Sequence, residues 1–175
     1  MVFPILVTKR LTLRQLDDND YKEIFALRSD DIVNQYITRR KATNIEEAKE
    51  FIKNINAGIN ENKSLYWAIC FSDTKKLIGT ICLWNFSEDK TVAEVGYELN
   101  PTYQKMGIMN EAVESVINYV FNEIHLTTIT AYTHKDNSSS SRLLEKNNFK
   151  IDEFRKDEGD INNVVYSLTK KSIII

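Results

Sequence analysis

The stretch Tyr103-Gln-Lys-Met-Gly-Ile-Met-Asn-Glu-Ala112 carries the most structural information in the chain. An alternating, strand-like run over Val92–Leu99 and the break Asn100-Pro101 precede it, and a long amphipathic helical pattern follows it. Amides in the first turn of a helix have no intrahelical acceptor, and the helix dipole makes that end positive. The sequence therefore predicts that a phosphorylated ligand binds around Gly107, where the missing side chain lets the backbone approach closely.

Composition limits the class of protein. The 175 residues are 42% hydrophobic, and we expect one domain, over residues 1–175, with a proper core. The net charge is -2 without a basic run, which argues against a dedicated nucleic-acid binder. No apolar run reaches membrane-spanning length, and residues 1–10 lack the pattern of a signal peptide. We therefore expect no membrane partner and no dedicated nucleic-acid binding.

The cysteines and histidines do not form a ligand pattern. Cys70 and Cys82 lie on neighbouring strand-like segments, and two cysteines in a chain of this size are typical of small apolar core residues in a reducing cytosol. His125 and His134 have no ligand spacing with them, so no metal site is expected. The expected location is cytoplasmic.

Hydrophobic periodicity predicts a mixed α and β fold. Strand-like runs over residues 65–71, 77–84 and 91–99 are joined by tight polar turns, which predicts an antiparallel meander. A helix and then a strand over residues 126–133 follow Gly107, so that strand should lie parallel to residues 91–99. The helix is predicted by apolar residues at intervals of three and four, namely Met109, Ala112, Val113, Val116, Ile117, Val120, Phe121 and Ile124.

The remaining segments predict shorter elements. A capping box, Thr43 to Glu46, should begin one helix, and Asn137 with the serines after it should cap another. The short helix that Asn137 caps should end at residue 147. The further elements are a strand over 11–14, a helix to about residue 28, and strands over 149–155 and 163–169. The fold class is therefore α+β, with a mostly antiparallel seven-stranded sheet and helices on both faces.

Four segments resemble, in order, the GNAT superfamily of acetyl-CoA-dependent N-acetyltransferases, and more narrowly its RimJ/RimL-type branch, which acetylates protein N-termini. The first, residues 8–14, is similar to the first strand, and the second, residues 93–99, is similar to the central strand. The third, residues 104–109, is similar to the Gln/Arg-x-x-Gly-x-Gly/Ala loop. The fourth, residues 137–140 with 144–149, is similar to the last cofactor-side helix and the strand after it. The chain departs from the family at Lys105 and Met109, where relatives carry small residues, and at Leu144, where many carry a tyrosine acid.

The resemblance implies where acetyl-CoA, the cosubstrate, binds. Two central parallel strands of the fold splay apart, and the gap between them seats the coenzyme. Backbone groups of the central strand would pair with the pantetheine arm, and the loop amides would hold the diphosphate. The implied cofactor-binding residues are Tyr97, Leu99, Gln104, Lys105, Met106, Gly107, Ile108, Met109, Asn110 and Asn137.

The chemistry requires a neutral amine. At pH 7 an α-amine with a pKa of about 7.7–8.0 costs about 1–1.4 kcal/mol to deprotonate, whereas a lysine at about 10.4 costs roughly 4–5 kcal/mol. Glu94, in a strand with apolar neighbours, is the candidate base, acting through a water. The alternative is that Glu94 faces solvent or pairs with a lysine. Ser140 matches the serine proposed in RimL-like enzymes to stabilise or protonate the thiolate, with helix capping as its alternative role.

The acceptor and the assembly stay open at this level. A protein N-terminus, such as that of a ribosomal protein, would be attacked directly in a ternary complex and needs an open groove above Glu94. A small amine, such as a polyamine, amino acid or aminoglycoside, needs a closed acidic pocket. A CoA-binding module without turnover is the third alternative, because Leu144 replaces the tyrosine. The sequence allows a monomer or a homodimer.

Overall fold

The computed structural model describes residues 2–170, and one mixed sheet organises them. The sheet has eight strands in the order β1-β2-β3-β4-β5-β6-β8-β7. In chain order the elements are β1 (Leu6–Val7), β2 (Leu11–Gln15), α1 (Tyr21–Ser29), α2 (Ile45–Asn60), β3 (Leu65–Phe71), β4 (Leu77–Trp84), β5 (Val92–Leu99), α3 (Ile108–Asn122), β6 (Thr128–His134), α4 (Ser138–Lys146), β7 (Lys150–Ile151) and β8 (Asn163–Thr169). The apolar tail, residues 172–175, lies outside the described residues.

The predicted meander and the predicted parallel pair are both confirmed. Strands β2 to β5 pair antiparallel with their chain neighbours, and β5 lies parallel to β6. The parallel ladder joins Val92 to Thr128, Ala93 to Ile129 and Glu94 to Thr130. Strand β5 continues to Leu99 without further pairing to β6, so the two strands separate beyond Glu94.

Helices cover both faces of the sheet, as the fold class predicts. Helices α3 and α4 pack on one face in a core that includes Ala93, Val95 and Leu99 of β5. Helices α1 and α2 pack on the other face, against residues such as Tyr66 and Cys70. Full burial of an aliphatic side chain stabilises by roughly 1.5–3 kcal/mol. The buried side chains of α3 therefore fix the position of its first turn, and they are Ile108, Met109, Ala112, Val113, Val116 and Val120.

Two predicted strand features are wrong in detail. The sheet has eight strands and not seven, because the short β1 pairs with β2 at the edge. Strand β7 covers only Lys150–Ile151, whereas the sequence predicted a strand over residues 149–155. Side chains of Asp152, Asp157 and Asp160 accept hydrogen bonds from backbone amides two residues ahead of them. These local turns compete with strand pairing and keep residues 152–162 out of the sheet.

The predicted capping box at the start of α2 is displaced by one residue. Asn44, and not Thr43, is the N-cap, and its side chain accepts a hydrogen bond from the Glu47 amide at 3.0 Å. The Glu47 carboxylate accepts in return from the Thr43 amide at 3.0 Å. Asn and Thr both cap helices, so the sequence alone did not separate the two registers.

No helix within residues 2–170 combines the length and the apolar character that a membrane span requires.

Candidate active site

The gap between β5 and β6 exposes one backbone edge of β5. The Asn100 amide donates to the Ile78 carbonyl at 2.9 Å, so even-numbered residues of β5 direct their backbone groups towards β4. Because backbone groups alternate along a strand, Tyr97 and Leu99 direct theirs towards the gap. The Leu99 carbonyl accepts from Gln104 Nε2 at 3.2 Å, which ties the strand end to the following loop. An extended pantetheine arm could therefore pair with this edge as an added strand.

The loop before α3 forms a set of free amide donors. Lys105 and Gly107 both have positive φ angles, 63° and 73°, and Gly107 is the N-cap of α3. Backbone amides near left-handed residues line anion-binding concavities. The first α3 amide that bonds back to the loop is that of Glu111, which donates to the Gly107 carbonyl at 3.1 Å. Within residues 2–170, none of the amides of residues 105–110 has a protein acceptor. This arrangement fits a diphosphate.

Side chains of the predicted cofactor residues do not obstruct this loop. Ile108 and Met109 are buried in the core, so Met109 leaves the loop open although relatives carry a small residue there. Asn110 donates to Glu114 Oε1 at 2.7 Å and accepts from Asn147 Nδ2 at 3.1 Å. These residues can therefore bind a ligand through their backbone amides, and the side chains of Met109 and Asn110 serve packing.

Glu94 lies where the two parallel strands begin to separate. Its cross-strand partner on β4 is Trp84. Burial raises the pKa of the Glu94 carboxyl above its usual value; a hydrogen bond from Asn85 opposes this shift, and the Asp157 charge adds to it. Within the described part of the chain Glu94 forms no ion pair with a lysine, so lysine pairing does not occupy it. A half-buried carboxylate with a raised pKa is suited to accept a proton.

Removing the Asp157 charge is expected to move the acid limb of the kcat/KM profile to lower pH. Activity that needs ionised Glu94 is lost as the pH falls through its raised pKa. Asp157→Asn removes one cause of that elevation, so the Glu94 pKa falls and activity persists further into acid. The measurement is a pH–rate profile, with Asp18→Asn as an exposed control of the same chemistry. An acid limb that coincides with that of the wild type would show that the Asp157 charge does not raise the pKa of the group that sets it.

Ser140 forms a hydroxyl pair that the sequence analysis missed. Its Oγ lies 2.8 Å from the Tyr97 hydroxyl oxygen. The pair therefore joins the first turn of α4 to β5. Burial raises the pKa of Tyr97 to about 12, which keeps its proton in place, while the hydrogen bond to Ser140 opposes the shift. Asn137 Oδ1 caps α4 by accepting from the Ser140 amide at 3.1 Å. The Ser140 hydroxyl is therefore not the helix cap, and it is available for chemistry. Leu144, in place of the family's tyrosine, is fully buried.

Ser140→Ala is expected to lower kcat about tenfold. This is less than the roughly 10²–10⁴-fold loss of rate typical of acid–base groups, because a thiolate is a stable leaving group. Tyr97→Phe removes the partner hydroxyl and should lower kcat by a smaller factor. Both variants keep the backbone amides and should bind acetyl-CoA with unchanged Kd. Ser139→Ala, at an exposed neighbouring position, is the matched control. Wild-type kcat in Ser140→Ala would remove this serine from the mechanism.

A buried ion pair lies on the same face of β5 as Glu94. Glu98 bonds Arg39 Nη2 at 2.7 Å, and Asn34 Oδ1 orients Arg39 at 2.7 Å. The second carboxylate oxygen, Glu98 Oε1, is buried and has no hydrogen-bond partner among the described residues. Gly96 lies between Glu94 and Glu98, and a side-chain carbon there would come within 3.3 Å of Cys82 Sγ, so the strand packs closely at this point. These residues lie on the α1 and α2 side of the sheet, opposite the Tyr97 hydroxyl.

A second missed feature is the anchoring of α3 by Arg10 at the β1–β2 corner. Arg10 Nε donates to Glu111 Oε2 at 2.7 Å, and Nη1 donates to the Met106 carbonyl at 2.9 Å. The Thr8 hydroxyl donates to Glu111 Oε1 at 2.6 Å. The corner thus holds both the loop and the first turn of α3. Residues 2–170 contain no cluster of His, Cys, Asp and Glu side chains that could hold a metal ion.

Comparison with known proteins identifies the family and the shared fold. The family model described as Acetyltransferase (GNAT) domain matches residues 10–150. YoaA of Bacillus subtilis, described as an uncharacterized N-acetyltransferase, is 35% identical over 173 residues, or 99% of this chain and 98% of YoaA. RimL, a ribosomal L7/L12 alpha-N-protein acetyltransferase solved with coenzyme A, gives a TM-score of 0.80 at 17% identity over 95% of this chain and 98% of RimL. The ribosomal-protein-S5-alanine acetyltransferase of Vibrio fischeri gives a TM-score of 0.78 at 20% identity over 97% of this chain and 98% of that protein.

A splayed parallel strand pair followed by a loop of free amides is the arrangement expected of an enzyme that binds an acyl-CoA. The chain belongs to the GNAT acetyltransferases, enzymes that use acetyl-CoA to acetylate an amine. The predicted superfamily and enzyme class are therefore confirmed. The two solved structures lie under 25% identity and establish the shared fold, so the RimJ/RimL branch stays a prediction.

Proposed function

We propose that this enzyme acetylates the N-terminal α-amine of a protein by direct attack on acetyl-CoA in a ternary complex. The observation that carries the proposal is the position of Glu94, half-buried at the point where β5 and β6 separate. Acetyl-CoA supplies the activated acyl group when it is bound. The edge of Tyr97 and Leu99, the amides of residues 105–110 and the Asn137 side chain would hold and orient it.

The proton path follows from the two faces of β5. Glu94, on the α1 and α2 face, accepts the amine proton through a water. Ser140, supported by Tyr97, donates a hydrogen bond or a proton to the departing thiolate from the opposite side. The Ser140 hydroxyl provides an acid at this site although Leu144 replaces the tyrosine, which favours an enzyme over a non-catalytic CoA-binding module.

An α-amine acceptor matches the strength of this base. A single half-buried carboxylate can offset a deprotonation cost of about 1–1.4 kcal/mol more readily than the roughly 4–5 kcal/mol of a lysine side chain. The RimL and S5-alanine enzymes, which share the fold, carry names that describe protein acetylation. A small polyamine is the second candidate, because the unpartnered Glu98 Oε1 could accept a hydrogen bond from a second amine.

One chain contributes every residue of this proposal, so either a monomer or a homodimer could act.

We place the enzyme in the cytoplasm, since Cys70 and Cys82 are both free thiols, which suits a reducing compartment.

An acceptor panel with thiol detection tests the proposal. The panel holds peptides that begin with Ser or Ala, the same peptides with blocked N-termini and an internal lysine, spermidine, free amino acids and an aminoglycoside. CoA release only with open N-termini, and mass spectra that place the acetyl group on the first residue, would support the protein acceptor. Turnover confined to spermidine or another small amine would overturn it in favour of the second candidate.

A further inference from the structure

The guanidinium of Arg10 lies beside the loop of residues 105–110 before α3, called the diphosphate loop below. Two of its three nitrogens donate hydrogen bonds to the protein. Nε and Nη1 bond Glu111 and the Met106 carbonyl, as described above. Nη2 has no hydrogen-bond acceptor within residues 2–170 and lies 3.5 Å from the place that a side-chain carbon on Gly107 would take. The free N–H groups of Nη2 are therefore next to the backbone whose amides lack acceptors.

The charges around the loop also favour an anion contact at Arg10. Glu111, in the first turn of α3, would oppose a diphosphate if its charge were free. Burial alone raises the pKa of Glu111, but hydrogen bonds from Thr8 and Arg10 more than offset this and hold it below its usual value. The side chain of Arg10 stays 41% exposed, whereas that of Glu111 is 19% exposed. The pair thus covers the carboxylate and presents the cation to solvent beside the loop.

We propose that Arg10 binds the diphosphate of the coenzyme directly through Nη2, in addition to anchoring the loop. The proposal rests on the use of acetyl-CoA by the site described above. Guanidinium groups form strong, directed bonds to phosphate oxygens, and here two of the nitrogens are already fixed, so little side-chain freedom remains to be lost. Lys105, the lysine of the loop, is exposed on the left-handed turn, whereas the Arg10 guanidinium is already tied to the loop by the Met106 carbonyl.

Calorimetric titration of the intact enzyme with CoA and with 3′-dephospho-CoA tests this contact. At low salt, Arg10→Gln is expected to weaken binding of both ligands about tenfold, the scale of a hydrogen bond to a charged group. Arg10→Lys keeps the charge and should recover part of the loss. In high salt the difference from the wild type should shrink, because screening weakens a partly exposed charge pair. Arg40→Gln, at an exposed arginine on the α2 side, is the matched control.

Several results would overturn the proposal. Equal Kd values in Arg10→Gln and the wild type would exclude the contact. A loss that is the same at every salt concentration, with no recovery in Arg10→Lys, would assign Arg10 to anchoring alone. A loss seen with CoA and absent with 3′-dephospho-CoA would move the contact to the 3′-phosphate. If the folded wild type binds neither ligand, the proposed function itself fails, which distinguishes the two failures.

Discussion

Glu94→Gln is expected to lower kcat/KM about 10²–10⁴-fold at pH 7, the range of a lost general base. Glutamine keeps the shape of the side chain, but it cannot accept the amine proton. The loss should be larger at neutral pH, where Glu94 is ionised and little of the amine is neutral, than near pH 9, where the α-amine is already free. The measurement is a pH–rate profile with the acceptor that the panel identifies.

The control for this variant is cofactor binding. Glu94 lies on the α1 and α2 face of β5, away from the amides of the diphosphate loop, so the Kd for acetyl-CoA should change less than about twofold. Glu88→Gln, at an exposed site in the turn before β5, should leave turnover unchanged. Unaltered turnover of Glu94→Gln at all pH values would remove Glu94 from the role of base.

Gly107→Val is expected to weaken CoA binding by at least about tenfold. A β-branched residue is a genuine outlier at the φ of 73° that Gly107 adopts, with a conformational cost of about 1–2 kcal/mol or more. The loop would relax to negative φ and redirect its amides. Crowding within the free protein is not the cause, because a Cβ at this position would make only an ordinary 3.5 Å contact with Arg10. Calorimetric titration with CoA measures the effect.

Gly107→Asn separates backbone conformation from side-chain bulk. Asparagine tolerates the left-handed region, so this variant should retain most of the CoA affinity and of the thermal stability. Valine and asparagine have similar size, which makes the pair a matched test. Equal Kd values for Gly107→Val and the wild type would contradict the role of the left-handed loop in binding.

Local sequence pattern was sufficient to predict the centre of the fold. The period-two run of β5, the glycine loop and the helical spacing in α3 lie in one stretch of chain, and the structure has all three where they were expected. The parallel neighbour of β5 followed from connection rules, since a strand after a crossover helix returns parallel. The choice of Glu94 as the candidate base followed from its place among apolar residues in that strand.

The missed contacts join residues far apart in the chain. Arg10 and Glu111 are 101 residues apart, and Tyr97 and Ser140 are 43 apart. Each side chain has an unremarkable local setting, and only the closed sheet brings the partners together. The Glu98–Arg39 pair has the same character, since Arg39 comes from the segment between α1 and α2. The short β7 is a different case, because its error has a local cause. The aspartates within residues 152–162 are a turn signal, and the strand prediction did not take them into account.

The most direct test of the account is a crystal structure of the enzyme with bound CoA. We expect diphosphate oxygens within about 2.7–3.2 Å of backbone nitrogens in residues 105–110, the range of N–H···O hydrogen bonds, with the pantetheine arm along Tyr97 and Leu99. A diphosphate held elsewhere, with the amides around Gly107 facing only solvent, would contradict it.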